Sequence, residues 1–179
     1  MFFKKVISNQ KIDSEKLKKA SEILIELQKE TLIQIEQGKG PFLAAIYDEN
    51  YNLIAKMANS VVEEQCSNNH AEMNAIKQAQ GVLKTYDLAK HNLSLFVTSE
   101  PCIMCLGGIM WSGIKNLYYG VPSNVVEKIT GFDEGFKPNW FKEFKKRGIC
   151  VCGKIEQELG EKVLKSYIES GKEVYKPSR

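Results

Sequence analysis

His70 and Glu72 stand two apart in Asn69-His70-Ala71-Glu72, and Cys102 and Cys105 stand three apart in Pro101-Cys102-Ile103-Met104-Cys105. Cysteines at i and i+3 share one helix face, and at a helix N-terminus the dipole and unpaired N–H groups favour the thiolate, the form that binds metal. With an imidazole they make three ligands suited to tetrahedral zinc, one ion per chain, and leave a fourth position for water. Zinc would lower the pKa of that water toward neutrality. Glu72 lies near the histidine without being needed as a ligand, so it is placed to take a proton from water and return it to a leaving group. A closed structural site is the rival, because Cys66, His70, Cys102 and Cys105 would make a Cys₃His knot with no water. Such ligand pairs are usually joined by a shorter segment than that between His70 and Cys102, and the knot leaves Glu72 without a role.

The elements around these residues follow from periodicity. Asp13 or Ser14 caps a long amphipathic helix over about 14–37, with Leu17, Ala20, Leu24, Leu27 and Ile35 on its apolar face and Gly38-Lys39-Gly40-Pro41 ending it. Phe42 to Tyr47 and Tyr51 to Met57 read as a hairpin around Asp48-Glu49-Asn50. His70 opens a second helix bearing Ala71, Ala75, Ala79 and Leu83. Leu93 to Thr98 is a strand that leads through Ser99-Glu100-Pro101 into a helix from Cys102 to Trp111. Asn116 to Gly120 and Gly148 to Ile155 complete five strands. A closing helix and tail occupy about 156–179, while Val121 to Trp140 reads as irregular. Strands alternating with helices predict a single α/β domain over 1–179, layered α/β/α.

Composition narrows the class. The chain has 179 residues, with 25 Lys and Arg against 22 Asp and Glu, a net charge of +3 that gives little support to a polyanionic partner. Lys142, Lys145, Lys146 and Arg147 form a short basic run that reads as a solvated helix face. Five cysteines without a regular framework suit a reducing cytoplasm, and Cys150 and Cys152 read as structural thiols. Met1-Phe2-Phe3-Lys4-Lys5 lacks the order of a signal peptide, and the uncharged run from Pro101 to Ile114 is too short to span a bilayer. A soluble, cytoplasmic protein is expected.

The pairing of H-x-E with P-C-x-x-C is a signature of zinc-dependent base deaminases. From about Gly40 to about Phe136 the chain resembles the cytidine-deaminase-like superfamily, and within it the branch of bacterial guanine deaminases and related nucleoside deaminases. The resemblance implies a five-stranded mixed sheet flanked by helices, and a homodimer. It also implies roles for particular residues. Gly40-Pro41-Phe42 is similar to the segment whose aromatic lines the base pocket, Asn59 to an asparagine that hydrogen-bonds base or sugar, Glu100 to a glutamate before the PCxxC, and Trp111 to a pocket-side tryptophan. Read alone, Phe42 and Trp111 fit a core equally well, and Asn59 fits a turn cap.

The branch rests on Gly131-Phe132-Asp133-Glu134, which resembles the G-F-D-D of guanine and guanosine deaminases. A carboxylate here can accept two N–H donors from the edge of guanine. Glu134 replaces the second Asp and is one methylene longer, and Leu43 stands where the family usually has Gly. The expected reaction is hydrolysis of guanine to xanthine and ammonia. A nucleoside, or another heterocycle such as cytosine, is the runner-up, with a tRNA adenosine deaminase and a non-catalytic zinc-stabilised domain behind it. In related guanine deaminases the C-terminal segment covers a neighbour's site, so the tail through Tyr167 and Tyr175 to Arg179 is expected to act as a lid exchanged between subunits.

Overall fold

In the computed structural model, which describes residues 6–176, a six-stranded mixed sheet lies between helices. The expectations placed on Met1–Lys5 and on Arg179 lie outside the described residues. The strands are β1 (Ile7–Ser8), β2 (Leu43–Tyr47), β3 (Leu53–Ala58), β4 (Ser94–Ser99), β5 (Asn116–Val121) and β6 (Cys150–Gly153), in the spatial order β1-β6-β5-β4-β2-β3. β4, β5 and β6 run parallel, whereas β2 is antiparallel to both β3 and β4.

Period-2 alternation sorts the strand side chains into two cores. Ala44, Ile46, Leu95, Val97, Leu117 and Tyr119 face one layer, where helix α2 (Ala71–Leu83) supplies Ala71, Ala75 and Ala79 and helix α3 (Ile103–Ser112) supplies Leu106 and Ile109. Leu43, Ala45, Phe96 and Tyr118 face the other, against Ala20, Ile23, Leu24 and Leu27 of helix α1 (Ser14–Glu36). The Asp13 carboxylate caps α1 by accepting from Glu15 N at 2.6 Å. Among the described residues no helix is long and apolar enough to cross a membrane.

Two expectations change. The sheet gains a sixth strand, β1, which is too short to show a period. It is held on β6 by Asn9, whose side chain donates to Ile149 O and accepts from Val151 N. Within the segment read as irregular, Ser123–Thr130 forms helix α4. Its valines, isoleucine and threonine have low helix propensity, and burial of Val126 against Val121 and Leu164 compensates. Gly131, at φ +75°, ends α4 in the left-handed region that a residue with a Cβ resists. Helix α5 (Trp140–Lys146) and helix α6 (Gln157–Glu169) complete the fold.

Candidate active site

α2 and α3 begin side by side at one end of the sheet, and the metal-type ligands are their caps. His70 is the extended residue before α2, and Cys102 is the extended residue before α3, with Cys105 one turn on. The helices come close because Gly108 faces Met73, whose sulfur would lie 2.5 Å from a Cβ at that glycine. His70 Nδ1 then lies 3.4 Å from Cys102 Sγ and 3.6 Å from Cys105 Sγ. A tetrahedral ion with metal–N near 2.05 Å and metal–S near 2.3 Å sets N···S edges of about 3.6 Å. The donor set therefore fits zinc in both chemistry and spacing. Among the described residues these three are the metal-type cluster, with all donor atoms within 4.8 Å of one another. Cys66 is not part of it and lies in the wall of the adjoining cavity, so the fourth ligand of a closed knot is missing.

Electrostatics at this point are strongly perturbed. Hydrogen bonding from Cys105, with a further contribution from His70, outweighs burial and draws the Cys102 thiol down to about 4. Burial opposes charge on His70, but Cys102 and Glu72 outweigh it and raise its pKa. Glu72 is 6% exposed, and desolvation pushes its carboxyl above the ordinary range. A carboxylate that holds a proton more readily than usual suits alternating acid and base work.

A cavity of about 680 Å³ opens beside the cluster, lined by His70, Glu72 and Cys102 together with Phe42, Asn59, Glu100 and Glu134. Phe42 packs edge-on against Phe132 at 5.3 Å between ring centroids, so it serves both wall and core. Asn59 likewise does two things. Its Oδ1 accepts from Val61 N to hold the turn, while its Nδ2 donates to Tyr175 Oη at 2.6 Å in the cavity. Glu100 has both oxygens engaged, one accepting from Ser123 N and the other from Lys137 Nζ. Glu134 is buried in the wall, and desolvation lifts its carboxyl to about 8 against the pull of Lys137.

Trp111 is not brought to this cavity. The buried stripe of α3 is Cys105, Leu106, Ile109 and Ser112, and Trp111 lies about 200° round the helix from Ile109. It is 83% exposed, neither pocket wall nor core. The tail lies over its own chain's cavity. Gly171 at φ +69° turns the chain after α6, Tyr167 Oη donates to Glu173 O, and Tyr175 packs on Phe132 at 5.0 Å and on His70 at 6.2 Å.

The sequence reading overlooked Phe132 as a stacking wall and Lys137 as a partner of two cavity carboxylates. For Lys137 a signal existed, because it stands three residues after Glu134.

Residues 14–121 match the cytidine and deoxycytidylate deaminase zinc-binding region. A probable cytosine deaminase of Schizosaccharomyces pombe is 33% identical over 95 residues, 53% of this chain and 56% of that protein. The guanine deaminase of Bacillus subtilis is 36% identical over 97 residues, 54% of this chain and 60% of the relative. The matched stretch thus spans under two thirds of either curated relative. A tRNA-specific adenosine deaminase of Bacillus subtilis is 32% identical over 127 residues, 70% of this chain and 74% of the relative. Among solved structures, a guanine deaminase from Nitrosomonas europaea superposes with a TM-score of 0.76 at 35% identity, covering 80% of this chain and 81% of that one. A complex with 2,6-diaminopurine superposes at 0.82 with 33% identity, covering 88% and 85%. By name these relatives act on different bases. The chain belongs to the cytidine and deoxycytidylate deaminase zinc-binding family.

Proposed function

We propose that this protein hydrolyses the exocyclic amino group of a free purine base, guanine before others, releasing ammonia. One observation carries the reading: the buried carboxylate of Glu134 shares a cavity with Glu72 and with the His70, Cys102 and Cys105 cluster. A base seated there has its reacting carbon near the metal ligands and an N–H edge toward a carboxylate acceptor. Solved structures of similar fold with 2,6-diaminopurine or 8-azaguanine bound support a purine.

His70, Cys102 and Cys105 would hold the zinc. When bound, zinc supplies Lewis acidity that makes water a competent nucleophile near neutral pH. Glu72 accepts a proton from water on its carboxylate and passes it to the ring nitrogen as the C–O bond forms, then takes the proton of the new hydroxyl and delivers it to the amino group, which leaves as ammonia when the C–N bond breaks and the carbonyl forms. Phe42 and Phe132 stack on the ring, the Asn59 amide donates to it, and Glu134 accepts from it. Tyr175 closes the cavity and limits water.

We further infer a homodimer in the cytoplasm, supported by the family resemblance and by the bare Trp111 on α3. Sedimentation of Trp111→Glu beside the wild type tests the dimer, a shift to monomer being the expected result. A nucleoside is the second substrate reading, favoured by a cavity larger than a bare base needs at less than ~30 Å³ per heavy atom. Ammonia release from guanine, guanosine, cytosine, cytidine, adenine, adenosine and a tRNA anticodon stem-loop decides among them. Guanine as the preferred substrate supports the proposal. Turnover of cytosine or of the stem-loop alone overturns it, and silence with all seven makes the domain a zinc-stabilised binding module.

A further inference from the structure

Lys137 lies in the loop between α4 and α5, yet its side chain is only 15% exposed. Its ammonium is 3.2 Å from Glu100 Oε1, contacts Ser123 Oγ as a donor, and lies 3.9 Å from Glu134 Oε2. Both carboxylates are more covered still, at 12% and 10% exposed. Glu100 is fixed independently, because its backbone N donates to Val121 O at 2.7 Å and its Oε2 accepts from Ser123 N at 3.1 Å. Ser123 is the first residue of α4, and Glu100 immediately precedes Pro101-Cys102. The ammonium is thus anchored at two points on the rigid frame that also delivers the cysteines.

Glu134 has a looser hold. Its backbone N donates to Glu127 Oε1 at 3.2 Å, and its carboxylate faces the ammonium at a distance longer than a hydrogen bond. That separation leaves the oxygens open to a ligand while retaining the attraction. Burial favours the protonated form of Glu134 and the Lys137 ammonium opposes it, so without that counter-charge the carboxyl group would hold its proton more tightly still or leave the wall. By opposing protonation the ammonium favours the ionised form, which accepts from an edge with two N–H groups.

We propose that Lys137 is a positioning residue for base recognition: held by Glu100 and Ser123, it holds the Glu134 side chain in the cavity wall, with its carboxyl group facing the base. Lys137 does not touch the base, and acts through Glu134 alone. The inference rests on the substrate reading above, in which Glu134 meets the base.

A double-mutant cycle tests it, comparing wild type, Lys137→Met, Glu134→Gln and the double variant for zinc content, kcat and KM with guanine, and for 8-azaguanine affinity by calorimetry. Lys137→Arg is the conservative control. In Lys137→Met the KM for guanine and the Kd for 8-azaguanine rise by about tenfold or more. The zinc content remains one per chain and kcat changes far less than KM. Lys137→Arg recovers most of the affinity, and in the Glu134→Gln background the loss of Lys137 adds little. Equal losses in both backgrounds, or zinc and kcat falling together in Lys137→Met, would overturn the assignment and make Lys137 a structural residue. An unchanged KM would overturn it as well. If the wild type neither deaminates guanine nor binds 8-azaguanine, the substrate reading itself falls and the role of Lys137 with it, a result distinct from a wild type that binds and a Lys137→Met variant that binds equally well.

Discussion

Glu134 and Lys137 stand at i and i+3, and so do Glu143 and Lys146 nine residues further on. In the first pair the side chains are 10% and 15% exposed, and desolvation drives the Glu134 carboxyl up to about 8. In the second they are 43% and 59% exposed, and hydrogen bonds from Lys146 and then Arg147 draw Glu143 down to about 2. Charge type and spacing are the same, and the shifts are opposite. The difference lies in what each segment is packed on. The loop carrying Glu134 and Lys137 is folded over a cavity and tied by Lys137 to Glu100, whereas Glu143 is half-exposed on a helix anchored by the buried Trp140 and Phe144. Glu143 also neutralises part of the run Lys142, Lys145, Lys146 and Arg147, at 2.7 Å to both Lys146 and Arg147. The run is a solvated helix face with its own counter-charge.

If burial is what gives a carboxylate work to do, the largest effect belongs to Glu72. In Glu72→Gln turnover should fall by roughly 10²–10⁴ while zinc stays at one per chain, because an amide of nearly the same size cannot move protons. Near-native turnover, measured as ammonia release, removes Glu72 from the mechanism. Cysteines allow the same contrast. Cys102→Ser should lose metal and much of its thermal stability, since it removes a member of the cluster, whereas Cys66→Ser, changed in the cavity wall outside that cluster, should keep one zinc and remain folded. Zinc analysis beside thermal denaturation checks both, and metal loss from the Cys66 variant would restore the closed knot.

Next in size is the tail. Tyr175 donates no atom to the metal cluster but packs on Phe132 and His70 and accepts from Asn59. Aromatic contacts of this kind contribute ~0.5–1.5 kcal/mol each. Deletion after Gly171 should therefore raise KM roughly tenfold with zinc retained. Unchanged kinetics would show that the tail is no lid.

Much of this was legible from residue types and spacing, and the exceptions share a cause. His70, Glu72, Cys102 and Cys105 announce themselves because each is a local pattern set at a helix start. The five main strands do so because alternation or a compact apolar run marks them. α4 was hidden because Val125, Val126 and Ile129 suit a strand as well as a helix, and only packing against Val121 and Leu164 decides. The i, i+3 spacing pointed from Lys137 to Glu134, but its tie to Glu100 was hidden because that partner is 37 residues away and the pairing depends on a loop with no period. Trp111 shows the converse: a residue placed by resemblance faces solvent because the helix period turns it there.

Titration sharpens the contrast between the two clusters. The ordinary value for a glutamate is 4.5, and folded Glu134 releases its proton near 8, so between these values the native state binds more protons than the unfolded chain. Glu134 thus contributes full stability below about pH 4.5 and loses it as the pH rises through about 8. The denaturation midpoint at equal zinc loading should fall more between pH 5 and pH 8 in the wild type than in Glu134→Gln. Parallel profiles would place Glu134 in water and dissolve the comparison.

The smallest effect is expected at Glu143, and it has the opposite sign. Its folded pKa lies near 2, below the ordinary 4.5, so whatever it contributes is present above pH 4.5 and is lost as the pH falls toward 2. Because Glu143, Lys146 and Arg147 are all largely in water, their attraction is screened, and holding long side chains together costs entropy. Glu143→Gln should leave the denaturation midpoint at pH 7 and the KM for the preferred base unchanged within error. Any small difference at low ionic strength should vanish in 0.5 M salt, where the Debye length shrinks to ~4–5 Å. A salt-resistant drop in stability would mean that Glu143 is covered in the assembled protein, which would place α5 at an interface between subunits. A change in KM would mean instead that charge on α5 reaches the cavity, and the distinction between buried and exposed pairs would then fail as an account of where this protein does its chemistry.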